Sequence, residues 1–198
     1  REYKEHPWDV LSVDCSADGK YAISGGFGYI MKLWDITKEN EIKNFKLNTE
    51  GAHFVKFSPN GKHAISGGYD RTIQMWDVHS GKEVGKLMGN VDWFNSVKIS
   101  SNNRYLFTAS GSPEISMWDV SNGRLKTKLE GHKSYVTSFV LSKNDRNALS
   151  GSGSGSVILW DLMSEGILRS WKAHDVPISS LALSPNGKMA VTVTFKGK

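Results

Sequence analysis

Residues 142–161, SKNDRNALSGSGSGSVILWD, decide how this chain folds. The stretch opens on Ser142, turns at Asn144-Asp145, runs through an apolar centre at Leu149, turns again within a serine-glycine run, and climbs through Val157 and Leu159 to Trp160-Asp161. Apolar residues every second position are the mark of half-buried strands, and Asn, Asp and Gly between them take the positive φ that tight hairpins need. The run Ser150–Ser156 also invites reading as a phosphate-cradling loop or a flexible linker. Its register favours a hairpin turn instead, because it joins the end of one strand to the start of the next and no helix follows to present a dipole.

The same pattern repeats. Trp-Asp occurs at 34–35, 76–77, 118–119 and 160–161, successive tryptophans being 42 residues apart. Eighteen residues before each tryptophan position stand Ser16, Ser58, Ser100, Ser142 and Ser184, and four residues after each serine stands a base: Lys20, Lys62, Arg104, Arg146 and Lys188. Pairs such as Val13 and Cys15, Val55 and Phe57, and Leu181 and Leu183 define a first strand, a. Ile23, Ile65, Phe107, Leu149 and Val191 centre a second, b. Met31 and Leu33, and their counterparts, lead into each tryptophan as strand c. A fourth run, d, ends at Phe45, Leu87, Leu129 or Trp171, with Tyr3 in the same column. Cys15 shares a column with Phe57, Ile99, Leu141 and Leu183, so it is expected to be buried rather than reactive.

Four strands in about 42 residues with Gly-His and Trp-Asp signatures resemble the WD40 repeat family, whose units are β-propeller blades. The signature histidine column holds His6, Asn48, Asn90, His132 and His174, with the preceding glycine kept only at Gly131. The resemblance implies an all-β chain of four full repeats (6–47, 48–89, 90–131, 132–173) and a partial fifth (174–198), residues 1–5 being strand d of a preceding blade. It also implies that 1–198 is one segment of a larger propeller of about seven blades.

In this family a tryptophan of strand c, a hydroxyl of strand b, the histidine and an aspartate of the b–c turn form one hydrogen-bonded set. Carried over, the set comprises Trp34 with Ser24 and His6, Trp76 with Ser66 and Asp70, Trp118 with Thr108, and Trp160 with Ser150 and His132. His174 belongs to the last repeat, and Gly28, Ser112, Ser154 and Lys196 fill the other aspartate positions, so no blade is complete. Because Ser, His and Asp recur with the structural period, they are read as staples rather than as a catalytic triad, and no enzyme activity is expected.

The remaining histidines, His53, His63 and His79, are scattered, so no metal site is expected, and no cofactor either. The single cysteine excludes an internal disulfide, and the sequence has no run of the roughly 18 to 20 apolar residues that a membrane-spanning helix requires. The start, Arg1 to Glu5, does not read as a signal peptide. With no Asn-x-Ser/Thr sequon, a cytoplasmic location is expected, a nuclear one being compatible. The net charge of +5 is dispersed over all segments, which argues against a nucleic-acid surface.

By resemblance, partners dock where the d–a connections and b–c turns crowd together. The residues there are Asp9, Leu11, Phe27, His53, Tyr69, Trp93, Asn95, Tyr135 and Thr137, aromatic and polar with little charge. Trp8 and Trp93 in the d–a connections are open to two readings, recognition or packing on a neighbouring blade. The expected function is a non-catalytic scaffold for protein or peptide partners, with self-association through open blade ends. The alternative is a sensor or targeting module of a larger enzyme, such as a nucleotide-hydrolysing regulator or kinase. A reader of RNA or histone tails would rest on the charge alone.

Overall fold

Each hairpin expected from the 42-residue period forms. The computed structural model describes residues 6–38, 40–47, 51–68, 70–87 and 94–195. Residues 1–5, Tyr69, Trp93, and the column positions Asn48, Asn90 and Lys196 lie outside them. The first blade is β1 (Val10–Cys15), β2 (Tyr21–Gly26), β3 (Ile30–Asp35) and β4 (Asn40–Lys46), and the second is β5 (Ala52–Phe57), β6 (His63–Gly68), β7 (Ile73–Asp77) and β8 (Glu83–Leu87). The third is β9 (Phe94–Ile99), β10 (Tyr105–Ser110), β11 (Ile115–Asp119) and β12 (Arg124–Leu129). The fourth is β13 (Val136–Leu141), β14 (Asn147–Ser152), β15 (Ser156–Asp161) and β16 (Gly166–Lys172), and β17 (Ile178–Leu183) pairs with β18 (Ala190–Thr194). Strands pair antiparallel in chain order within each sheet, and no helix occurs among the described residues. Residues 1–90 and 91–198 form two compact units.

The serine column closes the a–b turn. Each serine hydroxyl donates to the Asp or Asn two residues on at 2.6 to 2.8 Å and accepts from the backbone N–H five residues on at 2.8 to 3.0 Å. The third residue after the serine turns with φ between 54° and 69°, and it is Gly, Asn or Asp in every repeat.

Within the first unit the core joins two blades. Ile23, Met31, Leu33, Phe45 and Leu47 meet Val55, Phe57 and Trp76, with Phe45 edge-on to Trp76 at 5.9 Å. The second unit repeats this with Phe107, Met117 and Leu129 against Val136, Phe139 and Trp160, the Phe107 and Phe139 rings lying 5.3 Å apart. Burying such side chains stabilises by about 1.5 to 3 kcal/mol each. Successive a strands are also linked by side chain to backbone bonds. Ser12 accepts from Val55 N at 3.1 Å, Asp14 from Phe57 N at 2.9 Å and Ser138 from Leu181 N at 3.2 Å.

That geometry corrects the expectation for Cys15, which is exposed. Because β1 points Ser12 and Asp14 at the second blade, the strand alternation sends Val13 and Cys15 the other way. No described element covers that face, and Val13 is 64% exposed.

Candidate functional site

Four of the expected site positions, and Ser179 in register with them in the last repeat, share a backbone irregularity. The a–b pairing skips one residue of strand a in every repeat, at Leu11, His53, Asn95, Thr137 and Ser179. A bulge leaves its residue unpaired and re-aims its side chain, so the ladder does not dictate which residue type stands there. Asn95 uses its amide to reach Val136 O at 2.8 Å in the next blade. Thr137 and Ser179 turn their hydroxyls back to Gly151 O at 3.1 Å and Val193 O at 3.0 Å. His53 is half-buried, and burial holds its imidazole below the usual pKa. Leu11 is 42% exposed.

Aromatic rings are exposed at the same end of the blades. In the first unit, Phe27 follows β2 and its N–H donates to Asp9 O at 3.0 Å, which ties the b–c turn to the d–a segment. Phe27 and Tyr29 flank Gly28, whose φ of 92° favours glycine. Trp8 lies across this glycine, where an added Cβ would come within 2.8 Å of its indole, and is itself 65% exposed. In the second unit, Tyr135 lies over Gly153 and accepts its N–H at 2.9 Å, while the ring stays 43% exposed. The expected quartet of Phe27, Tyr69, Trp93 and Tyr135 is described at Phe27 and Tyr135 only; Tyr69 and Trp93 lie outside the described residues.

Beneath these loops the staples form. Tryptophan Nε1 donates to the strand-b hydroxyl in all four blades: Trp34 to Ser24, Trp76 to Ser66, Trp118 to Thr108 and Trp160 to Ser150, at 2.7 to 3.0 Å. Histidine joins where the column has one, with Nε2 2.6 Å from Ser24 for His6, 2.6 Å from Ser150 for His132, and 2.7 Å from Thr192 for His174. Burial lowers the His132 pKa to about 4, which keeps the ring neutral. Burial also lowers His6, with a smaller push from the ammonium of Lys32.

The family model of the WD domain, G-beta repeat, matches residues 1–35, 40–77, 81–119, 123–161 and 166–197. The chain belongs to the WD40 repeat family. No curated protein matches it.

Seen as WD40 blades, the departures have local causes. Asp70 occupies the aspartate position but accepts from Thr72 N and Oγ1 at 3.1 and 2.8 Å, capping its own turn. Ser154 replaces the aspartate in the fourth blade, and its hydroxyl joins Ser152 and Ser156 at 3.0 and 3.1 Å. The Nδ1 of His132 is buried with no hydrogen-bond partner among the described residues. Trp-Asp aspartates serve the c–d turns: Asp35, Asp77 and Asp119 accept from Thr37, Ser80 and Ser121, and these hydrogen bonds hold their carboxyls below the usual range. Among the described residues no group of His, Cys, Asp or Glu could hold a metal ion. Tyr29, exposed beside Phe27, was not among the residues expected at this end of the blades. The signal was available, an aromatic in a column otherwise filled by Arg71, Pro113, Gly155 and Gly197.

Proposed function

We propose that this WD40 chain is a non-catalytic scaffold that binds protein or peptide partners on the d–a and b–c loops. WD40 repeats generally mediate such interactions. The observation that carries the reading is the exposure of Trp8, Phe27, Tyr29 and Tyr135 on loops anchored by backbone hydrogen bonds, since rings of this kind bury large area at low entropic cost. The recurrent Ser, His and Trp groups are engaged in staples, which supports a role without chemistry.

Peptides selected against the whole chain by phage display test the reading. Their affinity is expected to fall about tenfold or more on Phe27→Ala or Tyr135→Ala, a loss of about 1.4 kcal/mol or more. Affinity unchanged in both variants refutes it. Self-association through the face carrying Val13 and Cys15 belongs to the same reading and is supported by its exposed apolar side chains. A monomer at every concentration in light scattering counts against it.

A further inference from the structure

At the other end of the strands, where the a–b and c–d turns lie, each unit has a groove between successive blades. In the first unit its volume is about 500 Å³, and its lining includes Tyr21, Leu33, Ile42, Lys43, Lys62 and His79. In the second unit a groove of about 780 Å³ opens at the same columns, with Tyr105, Met117 and Arg146 in place of Tyr21, Leu33 and Lys62.

The groove of the first unit is built by the fold rather than left by loose packing. Leu33 pairs with Lys43 and Trp34 with Glu41, so Ile42 is a bulge residue on β4, 44% exposed. The stem of Lys43 lies against Gly81, where a Cβ would come within 2.6 Å of it, and its ammonium donates to His79 O. Lys62 belongs to the basic column that follows each turn serine. Its N–H donates to Asn60 at 3.0 Å and its carbonyl accepts from Val78 N at 2.9 Å, so its backbone is held from both sides. Its ammonium is exposed and has no partner among the described residues. The carboxylate lining the groove, Asp77, is occupied by Ser80 N and Oγ, both at 2.7 Å. An apolar floor thus meets a rim on which two ammonium groups, Lys43 and Lys62, outnumber the one carboxylate, Asp77. In the second unit Asp145 stands beside Arg146 and weakens that imbalance.

We propose that the first unit's groove docks an acidic segment of a partner protein, with an apolar side chain against Tyr21 and Ile42 and a carboxylate on Lys62. A concave floor suits an inserted side chain, whereas a membrane surface is met by protruding apolar residues.

Fluorescence anisotropy of the whole chain tests this with a fluorescein-labelled peptide alternating glutamate with leucine and phenylalanine. The comparisons are the same peptide with lysine for every glutamate, and vesicles of phosphatidylcholine with phosphatidylglycerol. The acidic peptide is expected to bind and the lysine peptide not to. Lys62→Glu and Ile42→Glu are each expected to weaken binding by about tenfold or more, and Lys46→Glu, exposed at the far end of β4, by less than about twofold. Unchanged circular dichroism melts establish that the variants fold. Equal binding of both peptides, equal weakening by Lys46→Glu, or binding to the vesicles without binding to the peptide overturns the proposal.

Discussion

Acidification is expected to weaken this protein through His132 in particular. In the folded chain its imidazole takes up a proton only near pH 4, because the ring is buried against Ser150 and Trp160. In the unfolded chain it does so at the usual value of about 6.5. Between those two values the unfolded state holds the extra proton, so stability falls as pH falls and levels off below about 4. An interval of about 2.5 pH units at about 1.4 kcal/mol each amounts to about 3.5 kcal/mol. Urea unfolding followed by tryptophan fluorescence, from pH 7.5 down to 4, should show this loss in the natural chain relative to His132→Gln, which cannot take up a proton. His6 and His53 contribute in the same direction in both proteins and cancel in the difference. Parallel curves refute the reasoning. A second arm uses the buried, unpartnered Nδ1 of His132. Ser154→Asp restores the carboxylate that the family pattern has there, and it is expected to raise the His132 pKa in an NMR titration and flatten the pH dependence. An unmoved pKa would show that position 154 does not communicate with the ring.

Ser150→Ala removes the acceptor of Trp160 and the partner of His132 together, whereas Ser66→Ala removes that of Trp76. Losses of about 1 to 3 kcal/mol are expected, the Ser150 variant losing about 1 kcal/mol more in thermal or urea denaturation; equal losses would mean that the histidine bond contributes nothing. Gly155→Ala places a Cβ 2.0 Å from His174 O at a φ of 79°, while Gly187→Ala, at a φ of 68°, meets open space. The first is expected to destabilise by about 3 kcal/mol or more and the second by about 1 kcal/mol. Comparable melting temperatures for the two variants would contradict the close approach.

The blades and their staples were legible in the sequence because they are local. Trp160 and Ser150 stand on adjacent strands joined by one turn, and so do Trp34 and Ser24; the repeat columns placed them there and the resemblance to WD40 repeats named them as partners. The serine column was visible as a repeat, though not as the latch of each turn. What the alternation cannot state is whether a face is covered. Cys15 shares its column with buried Phe57, yet it is exposed because its face meets no described blade.

Nor does alternation reveal a skipped residue. Leu11 and Asn95 read as loop positions of the d–a connections, yet they lie on strand a and the pairing passes over them, as it does over Ile42 on strand d. The sequence by itself determined the period and the four-strand unit, and its resemblance to WD40 repeats supplied the tryptophan and hydroxyl partners within each blade. The strand pairing decided where bulges redirect side chains; tertiary structure alone decided which apolar faces are buried and that Ile42 and Lys62 share a groove, because these depend on packing between segments whose separation along the chain no hairpin spans.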